Sequence, residues 1–335
     1  MSVRILPSRM SWLAGLAALV LAGGCTGGWV EESSGTGNDL FGVFGLETGE
    51  VFAVGAGGTV LLREQGRWRQ LSTGSQDTLR AVWGFDSEHV VALGDNCAAL
   101  EYSGPVEPPE EGEPPPDLHP IQAASCGDFR DVDGSSEHAS AFVVGERTTS
   151  QWYGGGNMSN GRSFNQRMQG VSMQVHDEIY AVGDQGAFYR KHDGNWSQLD
   201  VTVCGVEPVD GQCPEGYLAQ PILWDVWAGP DGQGAVVGSG GGIWRLPAPA
   251  EGEWEAEDTD FDADLLAAWG HRDEQQGTVT VYAAGRGGVL ARIEPERIVR
   301  EAPGPHQDLN DIWVSPDGAD IYAVGNEGVI VHFSR

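Results

Sequence analysis

Residues 321–335, IYAVGNEGVIVHFSR, end the chain one strand short of its own pattern. An earlier copy at 179–199, IYAVGDQGAFYRKHDGNWSQL, runs on through a turn to a tryptophan and a further strand. Relatives of V-[YF]-A-V-G end at Gly55, Gly94, Gly145, Gly183, Gly238, Gly285 and Gly325, with successive spacings of 39, 51, 38, 55, 47 and 40 residues. Such a period is that of a four-stranded propeller blade. Upstream of most copies stands a second phrase, as in LFGVFG (40–45), LRAVWG (79–84), LWDVWA (223–228), LLAAWG (265–270) and LNDIWV (309–314). Downstream comes a glycine-rich turn, GAGG at 55–58 or GRGG at 285–288. The runs are short, rich in β-branched and aromatic residues, and parted by Gly, Asp and Asn, so they read as strands and turns. One such sheet has two faces to bury and is not stable alone.

The missing strand lies at the other end of the chain. GGWVEESSGTGNDLFGVFG (27–45) aligns with GRWRQLSTGSQDTLRAVWG (66–84), which puts Trp29 where Trp68 stands in the next copy. The expected fold is therefore an all-β, seven-bladed β-propeller over residues 29–335, about 44 residues per blade. The N-terminal strand completes the last blade as its outer strand. Closure leaves no raw edge to recruit another chain, so a monomer is expected. The third copy, with Asp133 in place of tryptophan, and the cramped fourth copy are degenerate, and a six-bladed ring is the alternative.

Composition narrows the function. The chain has 49 acidic and 19 basic residues, a single lysine (Lys191) and a net charge of -30, which repels a phosphate backbone and argues against nucleic acid. The opening MSVRILPSRMSWLAGLAALVLAGGC has Arg4 and Arg9, an apolar run from Trp12 to Ala22, and small residues before Cys25. The run is shorter than the roughly 20 residues of a membrane span and reads as an export signal. LAGGC (21–25) resembles the box of bacterial lipoproteins. That resemblance implies a signal peptide at 1–24, lipid on Cys25, and residues 25–28 as a short tether; an ordinary secretory cleavage near Gly24 or Gly28 is the alternative. Lipidation leaves four cysteines in an oxidising setting, which suggests two disulfides. Cys204 and Cys213 bracket a short loop and are paired with each other, leaving Cys97 with Cys126. A metal site is the alternative, but no close cysteine pair or HExxH motif occurs, and no metal or cofactor is expected. Residues 104–120, rich in proline and glutamate, read as an extended rim loop.

The repeats resemble bacterial propellers of the sialidase Asp-box and photosystem II assembly-factor classes. HDGNW (192–196) is similar to the tail of an Asp box at the turn before an outer strand, whereas GPDG (229–232) and SPDG (315–318) fall between first and second strands. A sialidase-like site would imply an arginine triad and a tyrosine nucleophile. Only Arg80 and Arg130 stand near inner strands, and Tyr180, Tyr282 and Tyr322 belong to the repeat phrase, where core packing explains them. Glycoside hydrolysis needs two carboxyls facing across a sugar, which sequence adjacency such as DVD at 131–133 does not establish. The expectation is a lipid-anchored module of the bacterial cell envelope, on the outer membrane or cell surface or facing the periplasm. It would bind or assemble with a protein or glycan partner. A carbohydrate-active enzyme and a structural surface protein are the alternatives. The candidate contact residues are the polar inner-strand positions Arg80, Arg130, Asp131, Asp225, Asn310 and Asp311.

Overall fold

The computed structural model describes residues 28–105, 115–123, 126–146, 148–154, 156, 158–175, 178–198, 203–204, 218–246, 255–257 and 259–335. They form seven four-stranded antiparallel sheets and one two-stranded hairpin, Val203–Cys204 with Leu218–Ala219. The sheets are the blades, and their inner strands are Leu40–Gly45, Leu79–Asp86, Phe129–Ser135, Met168–Val175, Leu223–Ala228, Leu265–Asp273 and Leu309–Val314. The ring is thus seven-bladed, and the degenerate third and fourth copies are full blades. The second strand of each blade, such as Val51–Gly55, is buried along most or all of its length, because neighbouring blades cover both of its faces.

The seventh blade is completed from the other end of the chain. Trp29–Ser33 pairs antiparallel with Val329–Ser334, in the register Trp29 to Phe333, Val30 to His332, Glu31 to Val331, Glu32 to Ile330 and Ser33 to Val329. The side chain of Glu32 ties this strand to the first blade. It accepts from Arg63 at 2.8 and 2.9 Å and from Trp68 Nε1 at 2.7 Å, and lies 3.0 Å from His332 Nδ1. Burial opposes its charge, yet the Arg63 and Trp68 bonds hold its carboxyl below the usual range. His332 reaches Asp320 at 2.8 Å with its other nitrogen and stacks on Tyr322 at 4.1 Å.

Aspartates join the blades. The one preceding an inner strand accepts the N–H of the middle residue of the previous blade's glycine-rich turn: Asp39 from Glu327, Asp264 from Gly240 and Asp308 from Gly287 at 2.8 Å, and Asp128 from Asn96 at 3.1 Å. The next glycine of these turns lies against the incoming chain. A Cβ on Gly288, already at φ +73°, would stand 2.2 Å from the Pro305 carbonyl oxygen. In the second blade Cys97 takes that place at φ +65° and is bonded to Cys126, with Cα atoms 5.0 Å apart, as the spacing argument expects. Cys25 and Cys213 lie outside the described residues, and with Cys213 so does the proposed Cys204–Cys213 bond.

Two details differ from or sharpen the sequence reading. Leu118–Pro120, expected at the end of the 104–120 loop, is the outer strand of the second blade, pairing with Ala99–Tyr102 as Leu118 to Tyr102 and Pro120 to Leu100. An outermost strand uses hydrogen bonds on one side only, which is why a proline is tolerated there. His192–Asn195 closes the hairpin of the fourth blade through Asp193 (φ +47°) and Gly194 (φ +74°), at the turn assigned from HDGNW.

The third residue of each inner strand faces its counterpart in the next blade: Gly42, Ala81, Asp131, Gly170, Asp225, Ala267 and Asp311 in ring order. A Cβ on Gly170 would lie 2.6 Å from the Cα of Asp225 and 2.5 Å from its Oδ1, so each aspartate is flanked by small residues. An odd ring cannot alternate throughout, and Gly42 beside Ala81 is the break. Gly170→Ala is expected to destabilise the protein by about 2 kcal/mol in chemical denaturation through overpacking. Gly37→Ala, where no atom lies within 4 Å of the new carbon, is expected to leave stability nearly unchanged.

Candidate functional site

Every inner strand carries a register shift between its first and third residues, as between Leu40 and Gly42 or Leu309 and Asp311. The bulge re-aims the side chains that follow. It divides the channel into three levels.

The second residues, among them Phe41, Arg80, Arg130 and Asn310, sit at the mouth where the inner strands start. Arg80 grips Asp95 through two bonds of 2.6 and 2.7 Å and stacks over Phe41 at 5.2 Å. Arg130 is 3.5 Å from Asp128, its Nε has no hydrogen-bond partner among the described residues, and burial and the Arg80 charge hold its pKa below the ordinary arginine value. Asn310 donates to the Leu40 carbonyl at 2.8 Å and to Asn326 Oδ1 at 2.9 Å. Arg80 and Asn310 are therefore spent within the ring.

The third residues form the middle level. Asp131, Asp225 and Asp311 line one small cavity of about 20 Å³, roughly the room of one water molecule. Each carboxylate accepts one N–H from its own strand and one from the next blade. Asp131 takes those of Val132 (2.8 Å) and Val171 (2.7 Å), Asp225 those of Val226 and Ala268 (both 2.7 Å), and Asp311 those of Ile312 (2.8 Å) and Val43 (2.7 Å). Their inner edges face the channel and stay partly exposed, while the rest of each side chain is packed between blades. Burial pushes Asp131 up to about 6 despite its two N–H bonds. Burial also raises Asp225 and Asp311 well above the ordinary carboxylate value, and the charge of Asp131 adds to both. Among the described residues no group of three His, Cys, Asp or Glu side chains is placed to hold a metal ion.

The fifth residues form the floor of the opposite mouth: Phe44, Trp83, Asp133, Ser172, Trp227, Trp269 and Trp313. Phe44 meets Trp83 and Trp269 at 5.9 Å and Trp313 at 6.3 Å, so rings from four blades interlock. Where the aromatic is missing, a polar side chain clips the next blade instead. Asp133 accepts from Met173 N–H at 2.8 Å, and Ser172 Oγ accepts from Ala228 N–H at 3.1 Å. Trp227 and Trp269 line both the aspartate cavity below and a bowl of about 490 Å³ above, and so separate the two. The bowl is also lined by Glu47, Thr48, Phe85, Asp86, Arg272 and Glu274. Trp83, Trp227 and Trp313 are at most 5% exposed, whereas Trp269 and Phe85 are half-buried and present apolar surface to solvent.

Of the six candidate contact residues, then, three lie in the middle level beneath the aromatic rings and three at the mouth away from the bowl. The bowl aromatics are not among the six, although their signal, the aromatic at the fifth position of most upstream phrases, stands in the sequence as a repeat marker. Tyr180, Tyr282 and Tyr322 are at most 3% exposed, as core packing requires.

The aspartate level has a pH signature. A carboxyl whose folded-state pKa is raised holds its proton more tightly in the ring than in the unfolded chain. Its stabilisation is full below the ordinary value near pH 4 and is lost as pH rises through the folded value, about 6 for Asp131 and likewise raised for the other two. His271, held neutral by burial, contributes the opposite slope equally to wild type and variants. Melting curves between pH 5 and pH 8 are expected to show a fall in stability with pH that is shallower in Asp225→Asn. An unchanged slope in that variant would contradict the assignment.

No family model matches the chain, and no curated protein sequence matches it. Solved structures do. YCF48 bound to a D1 peptide is 14% identical with a TM-score of 0.65, over 92% of this chain and 97% of that one. Virginiamycin B lyase from Staphylococcus aureus is 11% identical with a TM-score of 0.67, over 92% and 99%. The WD40 propeller domain of Doa1 is 13% identical with a TM-score of 0.62, over 92% and 97%. At these identities what is shared is the fold, and the chain is similar throughout its ring to β-propellers that include a photosystem II assembly-factor type.

Proposed function

We propose that this protein is a binding or assembly module of the bacterial cell envelope, held to a membrane by lipid on Cys25, that receives a protein partner in the aromatic bowl. The observation that carries the reading is the bowl itself. Loops and strand ends from six blades converge on a concave surface of about 490 Å³ with an apolar floor, the size and character of a binding site. Interlocked rings stand between the bowl and the carboxylates beneath, and those carboxylates each hold two blades together. The arginines that a sialidase-like site would use stand at the other mouth, and Arg80 is committed to Asp95. The YCF48 relative in fold is described as binding a peptide, which makes a polypeptide the partner favoured over a glycan. Lipid on Cys25 would keep the ring close to the membrane, since only a short segment separates that residue from the closing strand at Trp29.

Site-specific photo-crosslinking in cells tests this. A photoreactive residue at Thr48, on the bowl, is expected to give a discrete adduct in the membrane fraction, and one at Gln76, at the opposite mouth, is not. Cys25→Ser is expected to move the protein to the soluble fraction. Adducts from Gln76 alone, or a Cys25→Ser protein still in the membrane fraction, would overturn the corresponding half of the reading.

A further inference from the structure

We infer that the bowl selects a cationic segment of its partner, an arginine or lysine side chain flanked by apolar residues. This rests on the proposed function above and adds the charge class of the ligand. The inference comes from the ionisable groups around the aromatic floor. Glu47 and Glu274 are exposed on the lining from the first and sixth blades, and neither has a hydrogen-bond or ion-pair partner among the described residues. Asp86, also exposed, lies 2.8 Å from His89 Nδ1, and its hydrogen bonds with His89 and the Glu88 N–H outweigh its slight burial and hold its carboxyl below the usual range. The positive groups are neutralised. Arg272 is bound to Asp231, and His271 is buried, with burial and the Arg335 charge lowering its pKa so that its imidazole stays neutral. The lining therefore presents uncompensated carboxylates above tryptophan and phenylalanine rings.

That pairing has a defined chemical complement. Aromatic faces attract a cation through their quadrupole, tryptophan most strongly, and a ring of carboxylates draws it in from a distance. Guanidinium suits the site particularly, because it stacks on indole while its edge donates to carboxylates. A volume near 490 Å³ takes one long side chain with an apolar neighbour, not a folded surface. Anionic partners meet both the rim carboxylates and the chain's net charge of -30.

The test uses the protein with three blocked peptides, Gly-Leu-Arg-Leu-Gly and its counterparts with citrulline or glutamate at the centre, followed by calorimetry and by the protein's tryptophan fluorescence. The arginine peptide is expected to bind at least fivefold more tightly than the citrulline peptide, and the glutamate peptide more weakly still. The arginine preference is expected to shrink to within about twofold in the double variant Glu47→Gln, Glu274→Gln, whose exposed positions leave the fold intact, and to weaken with added salt. Equal affinity of the arginine and citrulline peptides, with tryptophan fluorescence responding to both, would overturn the charge inference while leaving the bowl as the site. Binding that leaves the fluorescence unchanged and is insensitive to Trp269→Phe would overturn the bowl itself.

Discussion

The structure depends on a ladder between its two ends. A four-stranded sheet with apolar faces on both sides has to be covered on both, and seven such sheets satisfy one another only if the last meets the first. The meeting is made by strand pairing, Trp29–Ser33 against Val329–Ser334, across nearly the whole chain length. It also supplies the seventh blade with its outer strand. Glu32 then serves both neighbours, bonding Arg63 and Trp68 of the first blade while sitting on the last. The covering of every inner face, and hence the channel and its bowl, follows from that closure.

Within the closed ring, aspartate is the joint between blades. Asp39, Asp128, Asp264 and Asp308 hold the turn of one blade to the start of the next, and Asp131, Asp225 and Asp311 join the inner strands of adjacent blades around the channel. A carboxylate suits the task because it accepts from two N–H groups in different strands at once. Part of the strong acidity is therefore internal carpentry. The remaining carboxylates, such as Glu47 and Glu274, give the surface and the bowl their sign. The joints also constrain composition. An aspartate at the third position requires a small residue in the neighbouring blades, so the alternation of Asp with Gly or Ala is a packing rule with one forced exception in a ring of seven.

Much of this was legible in the sequence, for a physical reason. Repetition displays the same turn and strand chemistry seven times, so the period, the truncated last copy and the orphan strand before Leu40 could be aligned without coordinates. The Cys97–Cys126 bond was legible by elimination, as the two cysteines left once Cys25 and the Cys204–Cys213 pairing were set aside. The site was less legible. Polar inner-strand residues looked available for binding, but the N–H groups that consume Asp131 and Asp225 come from Val171 and Ala268, some forty residues on, and no local pattern marks them. The aromatics of the upstream phrase were legible as a repeat marker only. Their convergence into a floor depends on seven strands meeting at an axis. Proline-rich composition masked the outer strand at Leu118–Pro120, since an edge strand tolerates what a central strand would not.

Hydrogen exchange at the last strand is the most direct measure of closure. In the full chain the backbone amides of Val329–Ser334 should exchange as slowly as those of other third strands, and in a chain lacking residues 1–33 this protection should be lost while blades far from the seam, such as the third and fourth, keep theirs. Equal protection of 329–334 with and without the N-terminal strand would show that the two ends do not hold each other, and the account of a ring closed by its termini would be wrong.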